Sequence, residues 1–132
     1  MTLVVDATVV VAALSDAGEA GQWAESIIAG GSLAAPALVL VESANVLRRL
    51  ERAKDLSALE VNTAHRDLLQ LEIELFPYEP FAPRVWDLRH NVSSYDAWYV
   101  ALAEALGSEL ATLDGRLGRA SGPTCGFLTP GS

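Results

Sequence analysis

Cysteine is nearly absent from this 132-residue chain. Cys125 stands alone, which excludes a disulfide framework and any cysteine-based zinc cluster. Two histidines, His65 and His90, are too few for a zinc site built mainly on imidazole. No uninterrupted apolar run reaches the roughly 20 residues that a membrane span needs. The first residues carry no basic side chain and Asp6 breaks their apolar run, so a secretory signal is not expected. No G-x-S-x-G elbow accompanies a histidine, and no glycine-rich loop is built to cradle a phosphate. Basic charge is scarce too. Nine Lys and Arg face seventeen Asp and Glu, for a net charge of −8, and Lys54 is the sole lysine. A protein that coats nucleic acid carries a basic footprint, which this chain lacks. What remains is 51% hydrophobic residues and three tryptophans, a composition that folds rather than staying disordered. The length suits one core, so the expectation is a soluble, cytoplasmic protein with a single domain over residues 1–132.

Hydrophobic patterning then orders the chain. Leu3-Val4-Val5 is a short β-branched run stopped by Asp6 and reads as a buried strand. Thr8 to Leu14 and Glu19 to Ala29 suit two helices, the second closed by Gly30-Gly31. A brief strand at Ser32 to Ala34 precedes a helix opened by Pro36 and running to about Arg52. Ser57 to Leu71 is a further helix, with Ser57 and Glu60 spaced as a capping box. Ile73 to Phe76 reads as a strand, Val85 to His90 as a short helix, and Tyr95 to Leu106 as a helix stopped by Gly107. Leu110 to Leu113 is another strand, ending at Asp114, and Cys125 to Leu128 supplies a last edge strand. Strands alternating with helices imply an α/β fold with a mainly parallel sheet covered on both faces.

In such sheets, ligand sites form beyond the carboxyl ends of the strands. Asp6 and Asp114 each follow a strand, Asp96 lies in the first turn of a helix, and Glu42 lies early in another. All four therefore point to one rim. Each has an ordinary role available: Asp96 in a capping box with Ser93, Asp114 in a turn with Gly115, Glu42 as a solvated helix side chain. Asp6 is harder to dismiss, because a charge directly after a buried strand is costly to desolvate. Four converging acids repel one another unless a cation joins them, and Mg²⁺ or Mn²⁺ suits hard carboxylate oxygens. Phosphate drawn to such a site meets a Lewis acid and an activated water, which points to a metal-dependent phosphodiesterase or nuclease. Thr8 and Thr112, two residues from Asp6 and Asp114, are placed to hydrogen-bond those carboxylates. Asn45 shares the helical face of Glu42, to orient it, to meet a ribose or phosphate, or simply to be solvated. Arg48 and Arg49 on the same helix either contact RNA or solvate the surface.

Four segments carry a resemblance. Val5-Asp6-Ala7-Thr8, Val41-Glu42-Ser43-Ala44-Asn45, Tyr95-Asp96-Ala97-Trp98-Tyr99-Val100-Ala101-Leu102-Ala103, and Thr112-Leu113-Asp114, taken in this order, resemble the PIN-domain ribonucleases. The likeness is closest to the VapC toxins of bacterial toxin–antitoxin pairs. It implies a PIN-like α/β/α sandwich with a central, mainly parallel sheet of four to five strands. It also implies Mg²⁺-dependent cleavage of RNA, tRNA or rRNA, with Mn²⁺ able to substitute. Asp6, Glu42, Asp96 and Asp114 match the family's metal-binding acids, Asp6, Asp96 and Asp114 holding the principal ion. Glu42 would bind a second ion or hold the attacking water. A homodimer and a cognate VapB-type antitoxin are the implied partners. One departure stands out: Leu117 occupies a position where some members carry a further aspartate. The rival reading is a PIN-like protein-binding domain with idle acids. A phosphoacceptor receiver domain is disfavoured because Ala7, not a second acid, follows Asp6.

Overall fold

The computed structural model describes residues 1–131. Its strands are β1 (Thr2–Val5), β2 (Ser32–Pro36), β3 (Ile73–Phe76), β4 (Leu110–Ala111) and β5 (Phe127–Leu128). They form one sheet in the order β3-β2-β1-β4-β5, and every pairing is parallel. The helices are α1 (Ala7–Ser15), α2 (Glu19–Ala29), α3 (Val39–Arg52), α4 (Ala58–Leu68), α5 (Ala82–Asp87) and α6 (Ser94–Leu106). Helices α1 to α4 pack on one another, while α6 lies against β1, β2 and β4 with α5 beside it. The expected α/β fold with four to five parallel strands is therefore present, with five.

The core sits where the sheet meets α6 and α1. Val4, Val5, Val9, Val10, Val100 and Leu102 are all fully enclosed. A smaller cluster of Val11, Leu47, Val61 and Ala64 joins α1, α3 and α4. The expected capping box at Ser57 is complete, with Ser57 Oγ accepting from Glu60 N and Glu60 Oε1 accepting from Ser57 N.

Several boundaries differ from the expected ones: α4 stops at Leu68 and not Leu71, α5 at Asp87 and not His90, β5 starts at Phe127 and not Cys125, and three further differences have a visible cause. Pro36 ends β2 instead of opening α3, paired with Phe76 of β3. β1 pairs with β2 only as far as Ala34, so the missing N–H of Pro36 breaks no ladder on that side. α5 begins at Ala82, three residues before the expected Val85, because Pro83 falls in its first turn, where proline is favoured. β4 is only Leu110–Ala111, since β1 ends at Val5 and β5 offers two residues to pair. Two 3-10 turns, Glu79–Phe81 and Leu117–Arg119, carry no hydrophobic period that would announce them.

The strand order fixes the place of the site. From β1 the chain moves outward through β2 and β3, then crosses back to β4 and β5 on the other side. The reversal lies between β1 and β4, and the crevice beyond their carboxyl ends is the topological switch point.

Candidate active site

Asp6 directly follows β1 and serves as the N-cap of α1, its Oδ1 accepting from Val9 N at 3.2 Å. That capping role is one the sequence reading did not assign it. Two threonine hydroxyls donate to the same carboxylate. Thr8 Oγ1 reaches Oδ1 at 2.5 Å, and Thr112 Oγ1 reaches Oδ2 at 2.5 Å. Thr112, two residues before Asp114, thus serves Asp6 across the strand gap; its hydroxyl also accepts from Asp114 N at 2.9 Å. Asp6 is only 7% exposed, and burial raises its pKa despite these three contacts and the Thr8 backbone N–H, which lower it.

Glu42 lies in the first turn of α3 and is half-buried. Tyr99 of α6 donates its hydroxyl to Glu42 Oε1 at 2.6 Å. Burial pushes the Glu42 pKa up, and the charges of Asp96 and Asp6 push it further. Asp96, in the first turn of α6, has its backbone N–H on Ser93 Oγ at 3.2 Å; the reciprocal half of the expected capping box is not formed. Its pKa is raised by burial first and by Asp114 second, while Ser93 and Arg116 act the other way. Asp114 Oδ1 accepts from Arg116 N at 3.0 Å and lies 3.5 Å from Arg116 Nε. These couplings link Asp6, Glu42, Asp96 and Asp114 in one electrostatic cluster drawn from four separate chain segments.

A cavity of about 200 Å³ opens between Asp96 and Asp114, with Asn91, Ser93 and Arg116 also on its wall. A larger cavity, about 730 Å³, lies at the opposite edge, by the amino ends of β2 and β3 at Ser32 and Ile73, and holds none of the four acids. The smaller one is where the chemistry-bearing side chains are. Leu117, at the departure from the acidic pattern, is buried in the core and brings no oxygen to the rim.

Asn45, Arg48 and Arg49 all lie exposed on α3 beyond Glu42, and no interaction among the described residues joins them to the acids. The sequence reading passed over Tyr99 and Arg116. Tyr99 stands three residues after Asp96, the spacing that puts both on one face of α6, and this was the available signal. Arg116 gave none beyond its place two residues after Asp114.

A divalent ion such as Mg²⁺ or Mn²⁺ suits this donor set. The side chains offer hard carboxylate oxygens, and three of the four carry raised pKa values that a cation would relieve. No three Asp, Glu, His or Cys among the described residues are drawn into a ready-made cage. Mg²⁺ keeps several waters in its shell, so the carboxylates of the rim need not form a closed cage to hold it.

An α/β domain with an acidic crevice at the switch point of an all-parallel sheet is the class that fold and site define. The chain belongs to the PIN-domain family, whose model matches residues 3–123. Ribonuclease VapC9 of Mycobacterium tuberculosis (strain ATCC 25618 / H37Rv) is 42% identical over 115 residues, 87% of each chain. Ribonuclease VapC1 of the same strain is 40% identical over 128 residues, 92% of each. Among solved structures, that of VapBC2 from Rickettsia felis bound to a DNA fragment from their promoter matches with a TM-score of 0.69. Its 15% identity over 98% of both chains shows a shared fold.

Proposed function

We propose that this chain is an endoribonuclease toxin of the VapC type that hydrolyses phosphodiester bonds of tRNA or rRNA, acts in the cytoplasm and requires Mg²⁺ or Mn²⁺. The observation that carries this reading is the electrostatic coupling of Asp6, Glu42, Asp96 and Asp114 from four chain segments: burial raises the pKa values of Asp6, Glu42 and Asp96, and neighbouring acids raise those of Glu42 and Asp96 further. Identity above 40% to a named VapC ribonuclease supports the reaction class.

When bound, the ion supplies Lewis acidity toward the phosphate and a water of lowered pKa. Asp6, Asp96 and Asp114 would hold it. Thr8 and Thr112 fix the Asp6 carboxylate, so its oxygens need no reorganisation when the ion arrives. Glu42, with Oε1 engaged by Tyr99, has Oε2 left to accept a hydrogen bond from the attacking water or to meet a second ion. Arg116 adds the local cation that a polyanionic substrate needs near so many carboxylates. The reading also includes a VapB-type antitoxin and a second copy of the chain as partners. Val41, Leu59, Trp86 and Tyr95, all mostly exposed, are side chains that such partners would cover.

The test is cleavage of total bacterial RNA by the purified, antitoxin-free chain in Mg²⁺, Mn²⁺ or EDTA, beside Asp6→Asn. Asparagine caps a helix as well as aspartate does, so this variant is expected to fold. Discrete fragments that need the ion and vanish in Asp6→Asn are expected, and their ends would name the substrate. No cleavage by folded, ion-loaded protein would move the reading to a protein-binding PIN-like domain.

A further inference from the structure

Asp6 and Asp114 are each held by hydrogen bonds near the strand ends. Asp6 is fixed by two threonine hydroxyls and a backbone N–H, and Asp114 by the N–H of Arg116. Both are short side chains on or beside strand ends. Glu42 is different. Its side chain is longer by one methylene, and it rises from a helix whose N-terminus has no side-chain cap. The charges of Asp96 and Asp6 both disfavour its ionised form at that place, so a free glutamate there would swing toward water.

One contact opposes this. Tyr99 is 1% exposed and stands first among the largest fully buried side chains. Its hydroxyl meets Glu42 Oε1 at 2.6 Å, across 57 residues of sequence, and no other residue hydrogen-bonds the Glu42 carboxylate among the described residues. We propose that Tyr99 is a positioning residue: its buried hydroxyl clamps Glu42 Oε1, holding that carboxylate at the acidic rim against Asp6 and Asp96 and leaving Oε2 for the ion or its water.

The chemistry of the pair fits the task. A length of 2.6 Å is that of a charge-assisted O–H···O⁻ bond, about twice the strength of a neutral one. Packing fixes the ring, so the hydroxyl cannot follow Glu42 outward and acts as a rigid post. The core has no need of that oxygen, because a phenyl ring would fill the same space without burying a polar group. The helix face adds a second consequence. Asp96 and Tyr99 lie three residues apart on α6, so the clamp on Glu42 also sets the spacing between the Glu42 and Asp96 carboxylates.

This inference rests on the metal-dependent reading above, and its test separates the two. Wild type, Tyr99→Phe, Glu42→Ala and the double variant would be compared for Mn²⁺ affinity without RNA and for kcat and KM with it. Tyr99→Phe is expected to bind Mn²⁺ about tenfold more weakly and to lose kcat about tenfold, with KM for RNA nearly unchanged. On the Glu42→Ala background the same change should add nothing. In wild type, the Tyr99 hydroxyl proton should be visible by NMR, shift on Mg²⁺ addition, and be lost to exchange in Glu42→Ala. That last measurement needs no Tyr99 variant to fold. Unchanged Mn²⁺ affinity and kcat in Tyr99→Phe, an equal loss on the Glu42→Ala background, or a hydroxyl resonance indifferent to Mg²⁺ would each overturn the clamp. Weakened Mn²⁺ binding in Tyr99→Phe, with a wild type that cleaves no RNA, would keep the clamp and remove the nuclease reading.

Discussion

A chain of net charge −8 that is to hold RNA must concentrate its few cations where the phosphate passes. Arg116 is the cation in contact with the acidic cluster: its side chain is 88% exposed, 3.5 Å from Asp114, and it partly offsets the raised pKa of Asp96. Exposure makes the ion pair nearly worthless for stability, so the guanidinium is available to a substrate. Arg116→Ala should therefore leave folding stability within about 0.5 kcal/mol. It should raise KM for RNA by about fivefold, an effect that added salt diminishes, with kcat little changed. Steady-state cleavage at two salt concentrations decides the matter, and an unaltered KM at low salt would remove Arg116 from the substrate path. Residues at this scale were unevenly legible. Asp6 announced itself because a carboxylate ending an apolar strand is locally anomalous. Tyr99 did not, because an aromatic in an apolar helix face looks like core until the helix start bearing Glu42, 57 residues away, is seen to face it. Arg48 and Arg49 lie exposed on the helix that carries Glu42, and helical periodicity alone does not separate a substrate contact from a solvated side chain.

At the scale of elements, the close approach of α2 to the end of α1 hangs on one atom's absence. A Cβ added at Gly21 would lie 1.7 Å from the Asp16 carbonyl oxygen and 2.9 Å from the Asp16 Cβ. Glycine inside a helix normally costs about 0.5–1 kcal/mol relative to alanine. Here the sign reverses. Gly21→Ala is expected to destabilise the fold by about 1–3 kcal/mol, since backbone must move to admit the methyl. Urea titration measures this, and a variant as stable as wild type would show that α2 slides freely on α1. The sequence carried an alternation of strand and helix clear enough for five strands in parallel, because buried β-branched runs and helical periods are local signals. Boundaries were less legible, since they depend on neighbours. Pro36 belongs to β2 because Phe76 of β3 pairs with it where β1 no longer does, and β4 is short because β1 ends at Val5 and β5 offers two residues. Neither fact is written in the segment itself.

Over the whole molecule, the acidic rim sets how stability responds to pH and to divalent ions. Asp6, Glu42 and Asp96 have folded pKa values above the ordinary 3.8 of Asp and 4.5 of Glu. Between the ordinary values and the raised ones the folded chain holds more protons than the unfolded chain, so stability falls as pH rises through that window. Above the raised values the cost is complete and stays. Glu60 and Glu104 act in the opposite sense. Ser57 lowers the pKa of Glu60 through their hydrogen bonds, and although burial is the largest single influence on Glu104, Arg84 and Thr124 together outweigh it and lower its pKa. Their stabilisation is present above the ordinary range and lost as pH falls through their folded values. The ion-free protein should accordingly be most stable on the acid side of neutrality, above the pH at which Glu60 and Glu104 protonate. Mg²⁺ that binds only the folded, ionised rim reverses the neutral-pH cost, adding about 2.7 kcal/mol at a hundredfold excess over its Kd. Protons compete for the same oxygens, so that gain must shrink as pH falls. Thermal melts from about pH 4 to about pH 8, in Mg²⁺ and in EDTA, follow both slopes. The expected pattern is a Tm in EDTA that declines toward neutral pH, a Mg²⁺ increment that grows over the same range, and a flatter profile for Asp6→Asn, which removes the most buried of the three charges. A Mg²⁺ increment independent of pH would place the ion away from these carboxylates.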